Sequence, residues 1–418
     1  MTGTLITYCL LAVAFLLTVP AASHTGLETW GSLAASSTAF VAMAINQFLA
    51  ARPKIFEGAF GGLDRMYRTH KTMGKIALVL ILVHYFVTPN FKGQILTTGL
   101  NNFAKDAANI GFWTLLILIA VSLFKQIPFT KIKIPYHIWR QSHRFIGVAF
   151  LFIAFHQMFI KRPFDGNVLL AGYLNIFAIL GIASFIYTQL APFLRRKKYE
   201  ITSVAHQGGA THISAKPVSK PLKSAPGQFA VIKLKKKGLG EPHPFSISGR
   251  DKDGALNFSI KASGDFTKRL HEQAEVGDKM LVEGGYGRFK FSPKHPRQLW
   301  LAGGIGITPL LAMAQNLDSS LEQEVCLVHC VRSEDEAVQQ EMLLRKAAEV
   351  KNFAYAFYTS ENNGHMNAEK LKDLVGFELD GALMMFCGPP PLRSAIEKGL
   401  KAMGKTFSST KFELFEFR

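Results

Sequence analysis

Four histidines constrain this chain more than any other feature. His70 and His84 bracket one apolar, helix-length segment, and His143 and His156 bracket another. The spacings are 14 and 13 residues. At about 1.5 Å of rise per residue, each pair sets two imidazoles about 20 Å apart along a helix, at two depths of one bilayer. Ionisable side chains inside a membrane span are costly and usually mark a function, and neutral imidazole is a natural axial ligand for iron. If the two helices run the same way, His70 meets His143 near one face and His84 meets His156 near the other. Each level then offers two imidazoles, enough for one six-coordinate haem. A lone histidine in a span often only finds a hydrogen-bond partner; four in two matching pairs are harder to explain that way. Fourteen residues return to nearly the same helix face, but thirteen leave the second ring more than a quarter-turn away. The His143–His156 segment therefore needs either different haem azimuths or a distorted helix.

A composition of 48% hydrophobic and 19% charged residues over 418 positions points to a membrane protein. The apolar runs are concentrated before Pro192, at about 4–23, 33–51, 70–84, 108–124, 143–156 and 168–190. No Lys or Arg occurs before Arg52, so the first run lacks the basic start of a secretory signal and reads as an uncleaved helix. Basic residues crowd every second connection: Arg52 to Lys71, Lys125 to Arg144, and Arg195-Arg196-Lys197-Lys198. By the bias of Lys and Arg toward the cytoplasm, both ends of a six-helix bundle lie inside, with 24–32, 90–106 and 161–166 outside. The net charge of +18 reflects this flanking pattern and does not imply nucleic acid. Four cysteines, Cys9, Cys326, Cys330 and Cys387, show neither a disulfide framework nor metal-site pairing, which suits a reducing cytoplasm for the second half.

After Arg195 the chain reads as soluble. Short runs of alternating Val, Ile, Thr and Phe broken by Gly and Pro suggest a small antiparallel barrel over 197–296. Within it, His243-Pro-Phe-Ser-Ile-Ser248, Phe258 to Thr267 and Gly284-Gly-Tyr-Gly-Arg-Phe289 read locally as turns with polar neighbours. From 297 the pattern becomes strand, glycine turn, helix: Leu299-Trp-Leu-Ala-Gly-Gly-Ile-Gly-Ile-Thr-Pro309, then an apolar helix from Leu310. Glycines there let a phosphate approach backbone N–H groups at a helix N-terminus. Strands expected at Val325–Val331, Phe353–Tyr358 and Ala382–Phe386 complete a parallel doubly wound sheet, an α/β domain over 297–418. Its ligand site lies at the strand C-termini, with Gly303, Arg332, Ser333 and Cys387.

In this order the motifs resemble those of the NADPH oxidase and ferric reductase superfamily over nearly the whole chain. The histidine pairs match that family's haem ligands in spacing and helix number. His243-Pro-Phe-Ser246 is similar to its His-Pro-Phe-Thr/Ser flavin motif, and Gly264-Asp-Phe-Thr267 to its second flavin motif, with Phe266 where Trp is usual. Gly303 to Pro309 and Cys387-Gly-Pro-Pro390 are similar to its nicotinamide-nucleotide motifs. Gly285 departs from a frequent Pro, and Thr88 stands where eukaryotic oxidases carry a further His.

The resemblance implies a six-helix transmembrane di-haem domain over 1–196, an FAD-binding barrel and an NADPH-binding domain. The metal ligands would be His70, His84, His143 and His156. His243, Pro244, Phe245, Ser246, Lys261, Gly264 and Thr267 would hold FAD. Gly303, Gly304, Gly306, Thr308, Cys387, Gly388 and Pro389 would hold the dinucleotide. Arg332 is placed to pair a 2′-phosphate, favouring NADPH, with NADH as the alternative. Ser246, Cys387 and an aromatic residue near the C-terminus, Phe415 or Phe417, are the expected catalytic residues, and Phe415 is preferred as the cover of the flavin. The implied function is electron transfer from cytoplasmic NADPH through FAD and two b-type haems to dioxygen outside, in a bacterial inner membrane. A ferric complex is the competing acceptor. A module supplying electrons to a periplasmic protein is the alternative of another class, although no motif marks a protein partner.

Overall fold

The computed structural model describes residues 2–22, 25–87, 100–123, 134, 136–160 and 167–413. A polar backbone can cross hydrocarbon only with its hydrogen bonds satisfied internally, and the first half is built of helices: α1 (Thr2–Ala22), α2 (Leu27–Ala50), α3 (Lys54–Phe60), α4 (Leu63–Phe86), α5 (Asn101–Leu123), α6 (Tyr136–Arg144), α7 (Ile146–Phe159) and α8 (Val168–Arg195). Of these, α1, α2, α5 and α8 are long and apolar enough to span a bilayer. The α4 helix carries Asp64, Arg65, Arg68 and Lys71 in its first half and Lys75 just beyond it, and α7 is 14 residues long. Large apolar side chains of α1 and α8, such as Leu5, Leu16, Ile176, Ile179 and Ile186, are exposed, as a lipid-facing surface requires. Inside, small residues let helices approach closely. The ring of Phe185 on α8 lies over Gly147, and the ring of Phe150 on α7 lies over Gly181.

Three local readings change. Residues 101–106, read as part of a polar connection, are the first turns of α5, and Asn101 is buried. The basic stretch after α2 contains the short helix α3. The segment around His143 is a distorted helix: α6 ends at Arg144, Phe145 makes a tight turn to the Ser142 carbonyl at 3.0 Å, and α7 starts at Ile146.

The chain divides into two compact units at Leu194 and Arg195. The second begins with a closed antiparallel barrel of β1 (Lys197–Gln207), β2 (Ala210–Pro217), β3 (Phe229–Leu234), β4 (His243–Arg250), β5 (Leu256–Lys261) and β6 (Lys279–Tyr286), in the order β1-β2-β5-β4-β3-β6. The helix α9 (Asp265–Gln273) lies between β5 and β6. Period-two alternation sends Ile201, Ile213, Ile232, Ile247, Phe258 and Val282 into its core. His243–Ser248, read as a turn, is strand β4, with Pro244 opposite Val231 and Ser246 opposite Phe229. Near the strand's C-terminal end the same alternation that buries Ile247 turns Ser246 and Ser248 to the other face.

A five-stranded sheet follows, in the order β11-β10-β7-β8-β9, every neighbouring pair parallel: β7 (Arg297–Gly303), β8 (Glu324–Val331), β9 (Phe353–Thr359), β10 (Leu383–Cys387) and β11 (Ser409–Phe412). Helices α10 (Thr308–Gln315), α11 (Gln340–Glu349), the one-turn α12 (Ser360–Asn363), α13 (Ala368–Leu374) and α14 (Pro390–Ala402) make the connections. Both faces are covered, as a parallel sheet needs. Trp300, Leu327 and Met385 pack with α10 on one side, and Leu301, Val328 and Met384 pack with α13 and α14 on the other.

Candidate functional site

In the first unit, α4 carries His70 and His84, α6 carries His143 and α7 carries His156. The rings of His70 and His143 meet edge-on, with centroids 6.0 Å apart and planes inclined at 67°. Two imidazoles on opposite sides of one metal place their centres about 6 Å apart, given bonds of about 2 Å. His84 and His156 are likewise close enough to interact electrostatically.

Nδ1 of three of these histidines is held by a neighbouring helix. Nδ1 of His84 lies 3.0 Å from Ser32 Oγ and 3.2 Å from the Ser32 carbonyl. Nδ1 of His143 lies 2.8 Å from Ser122 Oγ, and Nδ1 of His156 lies 3.1 Å from the Ala104 carbonyl. His70 lies beside Asn46 of α2. Thus α2 orients His84 of α4, and α5 orients the histidines of α6 and α7. A partner on Nδ1 fixes the ring and leaves Nε2 to coordinate, which is the usual support of a ligating histidine. Among the described residues no three His, Cys, Asp or Glu side chains form a metal cage; His70 and His143 meet as a pair. Sequence reasoning missed these supports, two of which are serine hydroxyls on neighbouring helices.

In the second unit, Phe266 stacks on His243 at 4.0 Å between ring centres and on Phe245 at 6.2 Å, bringing the two expected flavin motifs together. His243 Nε2 is 3.3 Å from Glu241. The Thr267 hydroxyl accepts from the Ser263 and Gly264 N–H groups at 2.9 Å each and donates to the Gly264 carbonyl, so it shapes the loop at the start of α9. Lys261 is paired with Glu336, 3.1 Å away. Gly285 has φ +60°, which no proline can adopt. An added Cβ there would strike the Lys223 carbonyl at 2.4 Å.

The glycines expected at the dinucleotide turn divide by role. Cβ atoms on Gly303 and Gly306 would meet Pro389 Cδ at 2.6 Å and the Cys387 carbonyl at 2.2 Å, and one on Gly388 would meet the Gly303 nitrogen at 2.8 Å. These three let the turn after β7 and the loop after β10 touch. Gly304 differs: its φ is +54° and its Cβ direction is open, so it offers backbone to a ligand. Thr308 starts α10 and donates to the Ile305 carbonyl at 3.1 Å. Arg332 is exposed just past β8, followed by an acidic turn, Glu334–Glu336.

Cys387 is 0% exposed in the core beside Trp300 and Met385. Burial, with the Glu413 carboxylate nearby, pushes its thiol well above the usual range. Glu413 had no signal in the sequence. An added Cβ on Gly287 would meet its Oε1 at 2.7 Å, so it stands between the loop after β6 and the end of β10. Phe415 and Phe417 lie outside the described residues.

Comparison with known proteins agrees with this division. Residues 35–154 match the family of ferric reductase like transmembrane components, 196–297 an FAD-binding domain family and 300–398 the oxidoreductase NAD-binding domain family. The toluate 1,2-dioxygenase electron transfer component of Pseudomonas putida is 28% identical over 200 residues, 46% of this chain and 58% of that protein. The flavohemoprotein of Pseudomonas putida is 27% identical over 205 residues, 46% of this chain and 52% of that protein. The chain thus spans little more than half the length of these relatives. A solved flavohemoglobin from Malassezia yamatoensis with bound FAD and heme shares the fold, with a TM-score of 0.50 and 16% identity over 96% of this chain and 98% of that one. The chain thus joins a ferric-reductase-like transmembrane component to an FAD-binding and an oxidoreductase NAD-binding domain.

Proposed function

We propose that the chain moves electrons from cytoplasmic NADPH, through FAD and two b-type haems, to dioxygen on the outer face of a bacterial inner membrane, yielding superoxide. The observation that carries this reading is the close approach of His70 and His143, with Nδ1 of His84, His143 and His156 already engaged. When bound, FAD accepts two electrons and releases them singly, and haem carries one at a time.

The chain's own residues supply position and exclusion. His70 and His143 would hold the inner haem, and His84 and His156 the outer. Each level would thus supply two histidine ligands from the chain itself. His243 to Ser246, with Phe266 behind them, offer the wall for the flavin. Gly304 and the start of α10 offer backbone N–H groups to the dinucleotide phosphates. Arg332 would pair a 2′-phosphate, the ground for preferring NADPH over NADH. Phe415 would cover the flavin ring where nicotinamide must stack. The basic connections support an orientation with both termini cytoplasmic.

Ferric iron reduction is the second reading, favoured by the family of residues 35–154. One experiment separates the two. NADPH consumption by purified protein is followed with oxygen, without it, and without it but with a ferric chelate, while superoxide is scored by a dismutase-sensitive dye. The oxidase reading expects turnover and superoxide only with oxygen. Turnover restored by anaerobic ferric chelate, without superoxide in air, overturns it in favour of the reductase.

A further inference from the structure

His329 sits toward the C-terminal end of β8, has no exposed surface, and takes no part in the site as read so far. The strand pleat puts it on the face of Val325 and Leu327, which pack in the cluster containing Ile307 and Leu310. Its backbone lies between Ala302 and Phe357, and the Phe357 ring closes on it edge-on at 5.8 Å.

Its Nε2 is 3.0 Å from the carbonyl oxygen of Gly304. A carbonyl only accepts, so this nitrogen carries the proton and Nδ1 is the bare acceptor. Nδ1 is buried and has no hydrogen-bond partner. Burying an unpaired ring nitrogen is costly, so packing alone would favour leucine here. The Nε2–H bond to Gly304 is what histidine adds. Because a trans peptide points its C=O and N–H in opposite directions, drawing the Gly304 oxygen down toward the sheet turns the Ile305 N–H away from it. The turn is open at this point, since an added Cβ on Gly304 would meet nothing within 4 Å.

We propose that His329 is a positioning residue for nucleotide binding, holding the Gly304–Ile305 peptide so that its N–H faces the dinucleotide's phosphates. The inference rests on the reading of the Gly303–Thr308 turn as the phosphate site. It makes a specific demand: the pyrophosphate is common to NADH and NADPH, so loss of His329 must weaken both equally.

The test uses the full-length, FAD-loaded protein in detergent with ferricyanide as acceptor. His329→Leu removes the donor and keeps the bulk. It should raise KM for NADH and NADPH by the same factor, about tenfold, the worth of one hydrogen bond. Saturating kcat should change by less than about twofold. His329→Gln, whose amide N–H reaches as far as Nε2, should restore KM. His329→Asn, one carbon shorter, should not. The Gln and Asn pair carries the comparison if the Leu variant does not fold. Gly304→Asp, which puts a carboxylate on the open side, should abolish binding of both nucleotides. Unchanged KM in His329→Leu with binding lost in Gly304→Asp overturns the role of His329 alone. Unchanged KM in Gly304→Asp overturns the phosphate site and this inference with it. A Gln variant as weak as Asn also overturns it, since the donated hydrogen bond would not be what matters.

Discussion

Replacing Gly306 by alanine tests the nucleotide turn quantitatively. The added Cβ would lie 2.2 Å from the Cys387 carbonyl oxygen, 2.7 Å from its carbonyl carbon and 3.1 Å from the Gly388 nitrogen. All three are backbone atoms, so no side-chain rotation relieves the overlap. The turn after β7 and the loop after β10 must separate by about 1 Å to restore ordinary contact distances. Overpacking costs about 1–3 kcal/mol, and two backbones in register put this case near the top of that range. For a folding unit of this size each kcal/mol moves Tm by about 2–4 °C, so a drop of about 6–12 °C is expected. Heating the full chain in detergent while following FAD fluorescence reads the transition, and KM for both nucleotides should rise with it. Gly304→Ala is the internal control. Nothing lies within 4 Å of its Cβ, but φ is +54°, a strain of about 1–2 kcal/mol. An unchanged Tm and KM in Gly306→Ala, or a larger loss of stability in Gly304→Ala, would refute the assignment of packing to one glycine and exposure to the other.

Arg332→Ala should weaken NADPH by about tenfold or more and leave NADH nearly unchanged, because only NADPH offers a phosphate for the guanidinium; equal losses for both would remove Arg332 as the reader. Glu283 is 1% exposed, accepts from Tyr286 Oη at 2.7 Å, and lies within 4 Å of Arg195 and Arg196. Glu283→Leu leaves these groups facing an apolar side chain and should cost about 3 kcal/mol in a thermal melt. A variant as stable as the parent would show the pairings to be worth nothing net. Burial pushes the thiols of Cys326 and Cys330 up to about 12, and that of Cys387 well above its usual range. A raised thiol stays protonated below its pKa, so at pH 8 a thiolate-seeking disulfide reagent should modify none of these three before unfolding. Native labelling of any of them at that pH would contradict the burial.

Much of the fold was legible because it depends on patterns that survive in one dimension. Apolar runs separated by basic loops gave helices, and the change from alternating strands to strand, glycine turn and helix gave the barrel and the parallel sheet. What escaped depended on tertiary partners. Pro244 and the polar residues around it read as a turn, yet β3 and β5 flank that segment and make it a central strand. Asn101 looked like loop because a polar helix start resembles one, and it proves to be buried. The thirteen-residue spacing of His143 and His156 signalled an irregularity, and the interruption at Phe145 supplies one. Ser32, Asn46, Ser122 and Ala104 could not be read as histidine partners, since nothing in the chain order says which helices will touch. Glu413 and His329 were silent for the same reason: each acts on a loop far away in sequence.

The most direct test of the central claim is the reduced-minus-oxidised absorption spectrum of the purified full-length protein, with haem and FAD quantified in the same sample. The account predicts a low-spin b-type spectrum with two haems for each FAD. His70→Ala should remove the inner haem while NADPH still reduces the flavin. A protein that binds FAD but shows no haem spectrum, or one that keeps both haems after single replacement of each of His70, His84, His143 and His156, would contradict it.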